Sequence, residues 1–384
     1  MKNLFDIFLK FFTLGFISFG GPMAHIGYFR KIFVEKLNWL DESSYSKLLA
    51  LSQFLPGPSS SQVGFAIGLK RGGVFGAFIA FLAFTTPSFI LLYILAILNI
   101  NEVENSFVSG IITGLKLFAV VIVADATISM FQSFCKDKIT MAIFALSAIL
   151  LLILPFTYTQ IFVLILAAIL GKIFIKNKSE KVEENPSKTK KLPLLIFIVL
   201  FFTLPFLASY NEEVKLFAIF YEAGSLVFGG GHVVLPLLEN NLLSLVSKDE
   251  FLLGYSFAQA VPGPMFTIAT FLGVNALEQN ALIGALLATS AIFLPGFLLI
   301  LAFYKSFESY SKQANILNAI SGVNASVVAL LFTVLISTVA PSAIYSFGDV
   351  LLTITGLVFI RLAKVSILYT ILIFILIGIF KSFI

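Results

Sequence analysis

The most constraining feature of this sequence is a pair of helix-breaking motifs that occurs twice, each time within apolar segments. The first copy has Phe19-Gly20-Gly21-Pro22, followed by Gln53-Phe54-Leu55-Pro56-Gly57-Pro58. The second copy has Phe228-Gly229-Gly230-Gly231, followed by Gln259-Ala260-Val261-Pro262-Gly263-Pro264. The copies are offset by 209 residues at the first motif and by 206 at the second. Internal repeats built on Gly/Pro-interrupted hydrophobic segments are the best sequence indication of the binding site of a secondary transporter.

The composition predicts an integral membrane protein. The chain is 59% hydrophobic and 12% charged, whereas a soluble domain has about 25% charged residues. We therefore expect an all-α polytopic membrane protein without a removable signal peptide. The single cysteine, Cys135, excludes an internal disulfide, and two histidines cannot form a usual zinc site. We predict no metal and no cofactor.

The segment 44–69 is long enough to span a bilayer, but its Pro-Gly-Pro motif divides it into two short arms. Each arm has about a dozen residues, too few to cross alone. The segment is therefore either a kinked spanning helix or a re-entrant hairpin with its tip at mid-depth. The same alternative is open for segments 4–34 and 216–238. The four-residue spacing of Gly64, Gly68, Gly72 and Gly76 indicates a helix-packing ridge rather than a ligand loop.

Flanking charges favour re-entrant hairpins that enter from opposite faces. Basic residues surround the first Pro-Gly-Pro segment and acidic residues surround the second, and basic residues mark the cytoplasmic side. The basic flank comprises Arg30, Lys31, Lys36, Lys47, Lys70 and Arg71, and the acidic flank comprises Glu239, Asp249, Glu250 and Glu278. We predict a first repeat at 1–175, a cytoplasmic linker at 176–191 and an inverted second repeat at 192–384. The broken helices of the two repeats would meet near the bilayer midplane.

Broken helices of this kind are suited to binding an anion. A helix that begins at the break presents unpaired N–H groups and the positive end of its dipole. The residues at and beside the breaks are therefore the predicted substrate ligands. These are Gly20, Gly21, His25, Gln53, Gly57, Ser59, Ser60, Ser61, Gln62, Gly229, Gly230, Gly231, His232, Gln259, Gly263 and Thr267.

Three charged residues are candidates for balancing the charge of an anion or for coupling. Lys116 and Asp125 lie within the apolar segment 107–131, where an ionisable residue is a functional hypothesis. Nine residues separate them, which places them on opposite helix faces, so each needs a partner elsewhere. A structural pair between helices is the equal alternative. Arg30 is either a topology marker or a ligand near the first break.

Several blocks of the first half together resemble the chromate ion transporter family, in its long form with two homologous halves. They are Phe19-Gly20-Gly21-Pro22 with His25-Ile26-Gly27-Tyr28-Phe29-Arg30, Trp39-Leu40, the Gln53–Pro58 motif, Ser60-Ser61-Gln62-Val63-Gly64 and Phe84-Thr85-Thr86-Pro87-Ser88. The second half matches through Phe228-Gly229-Gly230-Gly231-His232 and Pro262-Gly263-Pro264. The resemblance implies a multi-pass inner (plasma) membrane transporter that exports chromate, with sulfate as a related or competing anion.

Other functions remain open at this stage. An anion channel, or a carrier for another small anion, could have the same architecture. An intramembrane enzyme is a different class, but the chain lacks the G-x-S-x-G and H-E-x-x-H motifs, and we do not expect an enzyme. A non-transporting scaffold would have little use for paired breaks. The expected partners are a chromate- or sulfate-like oxyanion and the lipid bilayer, without nucleic acid; a homodimer is left open.

Overall fold

The protein is an all-α polytopic membrane protein, as its composition predicts. The computed structural model describes residues 2–19, 21–98, 106–154, 159–176, 189–228, 231–307 and 313–383. These residues form sixteen α-helices, and no strand occurs among them. Most of the predicted linker, residues 177–188, lies outside the described residues.

Seven helices form the first half of the chain. They are α1 (Lys2–Ile17), α2 (Gly21–Phe29, continued by a π-helical turn at Arg30–Lys36), α3 (Glu42–Phe54), α4 (Ser59–Ile97), α5 (Ser106–Phe134), α6 (Lys138–Ile153) and α7 (Thr159–Phe174). One further helix, α8 (Lys191–Leu207), lies between the halves.

The second half repeats this order of helices. It contains α9 (Glu212–Leu226), α10 (Val234–Leu242), α11 (Lys248–Ala260), α12 (Ile268–Ala276), α13 (Ala281–Phe303), α14 (Ala314–Val334), α15 (Phe347–Arg361) and α16 (Ile367–Lys381). The 3₁₀ turns Gly231–Val233, Met265–Thr267 and Glu278–Asn280 precede α10, α12 and α13. Helix α8 has no counterpart, so it is the additional segment that can change the orientation of the second half.

Equivalent helices also begin in equivalent ways. Asp41 caps α3 by accepting a hydrogen bond from the Ser44 amide at 2.8 Å, and Ser247 caps α11 in the same manner through Glu250. The bonds from Ser44 hold the pKa of the exposed Asp41 carboxyl below its ordinary value. Side-chain caps of this type satisfy amides that have no partner within the helix. The start of each re-entrant helix is therefore encoded locally.

Helix α4 reverses direction at Gly72-Gly73, where Gly73 has a φ of +63°. A Cβ on Gly68 would lie 2.7 Å from the Cβ of Ala80, so the two arms of α4 pack side by side. The glycines therefore lie in packing contacts, but they are divided between the two arms, because Gly72 lies at the reversal and Gly68 faces Gly76 across it. The second half repeats the contact, since a Cβ on Gly273 would lie 2.8 Å from the Cβ of Ala288.

The segment that contains Pro56-Gly57-Pro58 is a hairpin rather than a continuous kinked helix. The Arg71 guanidinium lies 4.9 Å from the centroid of the Trp39 ring, so both ends of the hairpin are adjacent. The preceding segment is a hairpin too, because Arg30 bonds Glu42 at 2.9 Å at its end while Ile7, near its start, packs at Gly72.

The second half forms the corresponding pair of hairpins. The Lys215 ammonium, near the start of α9, donates to the Ser244 hydroxyl beyond α10 at 3.3 Å. A cleft of about 370 Å³ is lined by residues from the start of α9, the end of the α10 segment and the end of α12, including Glu212, Leu245 and Asn275. All of these chain ends therefore lie together, as hairpins require.

Four described helices are long and apolar enough to cross a membrane: Ser59–Ile97, Ser109–Phe134, Glu278–Phe303 and Ala314–Ser342. Two belong to each half. The halves also exchange helices, because α16 packs on α5 and α7 packs on α14. Gly114 meets the backbone at Phe374, and Gly322 meets the backbone at Ala167. Close contacts between small residues are typical of helix association in membranes, where van der Waals packing dominates.

Candidate functional site

Each Pro-Gly-Pro tip is held by the other half of the chain. The Gly57 amide donates to the carbonyl oxygen of Val227 at 2.7 Å, and the Gly263 amide donates to the carbonyl oxygen of Ser18 at 3.0 Å. Val227 precedes the second glycine motif and Ser18 precedes the first. The two bonds are therefore equivalent, and each joins one Pro-Gly-Pro tip to the glycine break of the opposite half.

A second pair of contacts repeats the same relationship. A Cβ on Gly57 would lie 2.9 Å from the Cα of Gly296, and a Cβ on Gly263 would lie 2.8 Å from the Ser88 hydroxyl. Ser88 and Gly296 each follow a proline within the long helix of their half, Pro87 in α4 and Pro295 in α13. Reciprocal contacts of this kind define an isologous, two-fold relationship. The tips lie at the interface that this relationship creates.

The first half offers a helix N-terminus at its tip. Residues 59–71 begin a new helix directly after the Pro-Gly-Pro motif, and the first intrahelical bond runs from the Gln62 amide to the Pro58 carbonyl at 2.9 Å. The amides of Ser59, Ser60 and Ser61 therefore have no carbonyl one turn earlier to bond. The Ser61 hydroxyl is buried and has no hydrogen-bond partner among the described residues. These groups are uncharged donors suited to an anion.

His25 connects this N-terminus to the opposite tip. Its Nδ1 lies 3.4 Å from the Ser60 hydroxyl, and its Nε2 lies 3.1 Å from the carbonyl oxygen of Ser18. The same carbonyl accepts the Gly263 amide. The ring is fully buried and packs edge-on against Phe84. His25 therefore links both Pro-Gly-Pro segments through a single carbonyl group.

The Gln62 side chain folds back over the tip. Its amide nitrogen donates to the carbonyl oxygens of Pro56 at 2.9 Å and Gly296 at 3.2 Å. Its carbonyl oxygen is buried without a hydrogen-bond partner in the part of the chain that the structure describes. Gln62 is therefore both a link between the halves and an unsatisfied acceptor.

The second half uses most of its polar side chains locally. His232 Nδ1 lies 2.8 Å from the hydroxyl of Tyr255, and the Gln259 amide donates to the sulfur of Met265 at 3.2 Å. The Thr267 hydroxyl donates to the Pro264 carbonyl at 2.5 Å. The donors left to the second tip are mainly backbone amides, so the two halves are alike in backbone and different in chemistry.

The remaining predicted ligands are divided among several locations. Gly21 begins α2 with a φ of +72°, Ser59 is half-buried at the first tip, and Gly231 begins a 3₁₀ turn. Gln53 is exposed on α3, three residues before the tip. Three predicted ligands lie outside the described residues: Gly20, Gly229 and Gly230.

The charged candidates all have carboxylate or guanidinium partners. Lys116 pairs with Asp249 at 2.6 Å, which identifies the partner that the sequence left open. Asp125 pairs with Arg361 at 2.8 Å, joining α5 to the end of α15. The half-exposed Arg30 side chain bonds Glu42 and also approaches Glu35 at 3.2 Å. Each of the three candidates therefore lies in an ion pair within the protein.

Sequence reasoning missed the residues that receive the tips. Ser18 and Val227 carry no helix-breaking motif of their own, yet each contacts a tip of the opposite half. Their signal was the repeat offset, since they are 209 residues apart, as the glycine motifs are. Ser88 and Gly296 also contact the tips, and their signal was the proline that precedes each of them.

Comparison with known proteins places the chain among transporters. The family described as Chromate transporter matches residues 5–172 and 214–379, which coincide with the two halves and leave out α8. An uncharacterized transporter of Methanocaldococcus jannaschii is 28% identical over 86% of this chain and 83% of its own length. Chromate transport proteins of Pseudomonas aeruginosa and Cupriavidus metallidurans are 26% and 25% identical over 85% of this chain, covering 79% and 80% of those proteins. No solved structure matches the chain.

Proposed function

The chain belongs to the chromate transporter family, and on that premise we propose that it is a secondary active transporter that exports chromate across the cell inner membrane. Sulfate would be a related or competing anion. Two relatives are named chromate transport proteins, which supports the substrate. Basic residues mark the cytoplasmic side of a membrane protein. The described ends of the linker carry Lys176, Lys190 and Lys191, and the first hairpin also has basic flanks. Both observations support a cytoplasmic placement of segment 176–191.

The observation that carries this proposal is the reciprocal bonding of the tips. Because Gly57 bonds Val227 and Gly263 bonds Ser18, each new helix starts beside the glycine break of the other half. Discontinuous helices at a repeat interface form the substrate sites of secondary transporters, with helix N-termini directed at anionic groups. The substrate would bind between residues 57–62 of the first half and residues 229–232 and 263–267 of the second.

Uncharged donors suit a carrier that must also release its substrate. The side chains at the tips are hydroxyls, amides and a buried imidazole, while Lys116, Asp125 and Arg30 are held in ion pairs. An anion held by N–H and O–H groups gains directional bonds without the cost of separating a buried salt bridge on departure. The paired charges would then stabilise helix contacts rather than contact substrate.

The membrane potential can drive export. A potential of 100 mV, negative inside, is worth about 2.3 kcal/mol for each elementary charge that leaves the cytoplasm, so about 4.6 kcal/mol for a dianion and half of that for a monoanion. Alternating access would follow from rocking of one half against the other around the tips. Since α7 and α16 each pack on the opposite half, that motion would repack the α5–α16 and α7–α14 contacts together.

Counterflow in proteoliposomes tests the proposal. Vesicles loaded with unlabelled chromate should accumulate labelled chromate transiently, with a rate that saturates as external chromate rises. An empty vesicle gives the leak, which is subtracted from the measured rate. Flux that neither saturates nor shows exchange would indicate an anion channel instead. Accumulation with sulfate and not with chromate would reassign the substrate.

A further inference from the structure

The position of the Gln62 side chain is fixed by two hydrogen bonds at the first tip. Its amide nitrogen donates to the carbonyl oxygens of Pro56 and Gly296, and a Cβ on Gly57 would lie 2.7 Å from that nitrogen. Because both neighbouring groups are acceptors, the nitrogen and not the oxygen of the amide must face them. Both N–H groups are used, so the amide has one free function, its oxygen.

That oxygen lies at the helix break and lacks a donor. It is bonded to the same carbon as the nitrogen, so it lies within the same turn as Pro56 and the start of the new helix. The residue is fully buried, and the oxygen has no hydrogen-bond partner among the described residues. A buried acceptor without a donor is costly to maintain. A ligand group that donates an O–H or N–H to this oxygen would therefore be stabilised at the site.

The helix N-terminus beside the Gln62 oxygen stabilises negative charge. The unpaired amides of residues 59–61 and the Ser61 hydroxyl favour an anion. A cation would satisfy the Gln62 oxygen but would face the positive end of the helix dipole. A fully deprotonated dianion would satisfy the amides but would place an oxygen with only lone pairs against another acceptor. A tetrahedral oxyanion that keeps one proton meets both demands.

We infer that the Gln62 carbonyl oxygen accepts the O–H of a monoprotonated tetrahedral oxyanion whose other oxygens bind the N-terminus of residues 59–71. The inference rests on the proposed function and specifies the ionic form that is carried. Chromate takes up a proton near neutral pH, whereas sulfate and selenate stay fully deprotonated there. Gln62 would thus distinguish hydrogen chromate from the other two anions by hydrogen-bonding pattern rather than by size.

The second half does not duplicate this acceptor. The position equivalent to Gln62 at the 206-residue offset is Ile268, a fully buried apolar residue. One oxyanion bound between the halves would therefore direct its protonated oxygen to Gln62 in the first half. Its other oxygens would face the amides and hydroxyls.

Titration of the protein must be separated from titration of the anion. His25 is the titratable side chain connected to this N-terminus, through Ser60, and α12 and α13 carry no charged residue. The other helices packed against α4 carry charged groups. These are Lys2, Asp6 and Lys10 on α1, Glu42 and Lys47 on α3, and residues 248–250 on α11, while α4 itself carries Lys70 and Arg71. Loss of protons from these groups as the pH rises weakens the binding of a dianion at least as much as that of a monoanion. Their titration alone therefore does not lower the affinity for chromate relative to selenate, and a fall in that ratio isolates titration of the anion.

Competition against labelled-chromate counterflow measures that ratio. The full chain in liposomes is tested with unlabelled chromate and selenate across the neutral pH range, because selenate is close to chromate in size. The apparent affinity for total chromate relative to selenate should fall by up to about tenfold for each pH unit above the second pKa of chromate. A ratio that does not change with pH would overturn the inference, as expected if the Gln62 oxygen binds only water.

Gln62→Met removes the acceptor and provides a second, independent measurement. In this variant the two anions should compete with affinities within about threefold of each other, and the pH dependence of their ratio should disappear. Gln160→Met is the matched control, because the Gln160 amide also donates to a proline carbonyl, that of Pro236, at 2.8 Å. The control should keep the wild-type ratio.

The outcomes separate the two proposals. Saturable counterflow in which selenate and chromate compete equally at every pH would refute the protonated ligand while leaving the carrier intact. Failure of every oxyanion to exchange would refute the carrier itself. If Gln62→Met does not fold, as judged by size-exclusion chromatography in detergent, the pH series on the wild-type chain decides the question alone.

Discussion

The Gly57 amide and the Val227 carbonyl oxygen form a 2.7 Å hydrogen bond between the two halves of the chain, and Gly263 and Ser18 repeat it at 3.0 Å. The pair of bonds makes each broken helix depend on the opposite half for the position of its tip. A change at one tip should therefore affect the site formed by both halves, and not only the local turn.

Substituting Gly57 should abolish transport. Its φ is +126°, a conformation that other residues adopt at a cost of about 1–3 kcal/mol, and a Cβ would also press on the Gly296 backbone. We expect Gly57→Ala to lower counterflow at least about tenfold and to lower thermal stability in detergent. Gly27→Ala is the control, since a Cβ there meets no atom within 4 Å, and it should behave like wild type. Full activity of Gly57→Ala would show that the tip geometry is not needed.

The exchanged helices should be sensitive to small additions of volume. A Cβ on Gly114 would lie 2.9 Å from the Cα of Ile375, and a Cβ on Gly322 would lie 2.9 Å from the Cα of Gly171. Since backbone must move in both cases, Gly114→Ala and Gly322→Ala should each destabilise the fold by about 1–3 kcal/mol. Melting of purified protein measures this, and Gly348→Ala, whose Cβ meets only the Ser346 hydroxyl at 3.5 Å, should melt like wild type. A loss of stability in only one of the two variants, Gly114→Ala or Gly322→Ala, would contradict the reciprocal packing.

The orientation of the two halves can be tested by labelling. Lys70 and Gln279 are exposed at the open ends of equivalent hairpins, one with basic flanks and the other with acidic flanks. In a Cys135→Ser background, cysteines at these two positions should react with a membrane-impermeant maleimide from opposite sides of the membrane. Labelling of both from one side would refute the inverted arrangement and leave a parallel repeat.

The buried ion pairs should differ in their cost of removal. Asp249 keeps 55% of its side chain exposed beside Lys116, so Lys116→Met should cost about 1 kcal/mol or less and leave most transport. Asp349 is only 1% exposed beside Lys381, so Lys381→Met removes the ammonium partner of a buried carboxylate and should cost more, about 1.5–3 kcal/mol. Thermal stability of the two variants gives the comparison.

A matched test removes the acid as well. Adding Asp349→Asn to Lys381→Met should recover part of the lost stability, because no buried charge is then left unpaired.

For Lys116, complete loss of counterflow by a stable Lys116→Met protein would contradict this prediction and would indicate that Lys116 contacts the substrate.

Much of this architecture could be predicted from the sequence because helix breaks and capping are local effects. The Pro-Gly-Pro and Gly-Gly motifs remove hydrogen-bond donors and permit positive φ wherever the chain is placed. Two copies at nearly the same offset therefore predicted two sets of broken helices, and the flanking charges favoured hairpins over kinked spans. Asp41 and Ser247, which start equivalent helices, act within three residues of their own position and could be recognised in the same way.

Only the tertiary structure decided which distant groups meet, because contacts between residues hundreds of positions apart depend on packing and not on local propensity. Lys116 and Asp125 had no identifiable partners in the sequence, and the fold gave them Asp249 and Arg361. The packing of α7 and α16 on the opposite halves could not be predicted, because only single glycines mark these contacts in the sequence. The Gln62 oxygen is unpartnered because folding directs the nitrogen of that amide to Gly296, a carbonyl 234 residues away that the helix break alone does not specify.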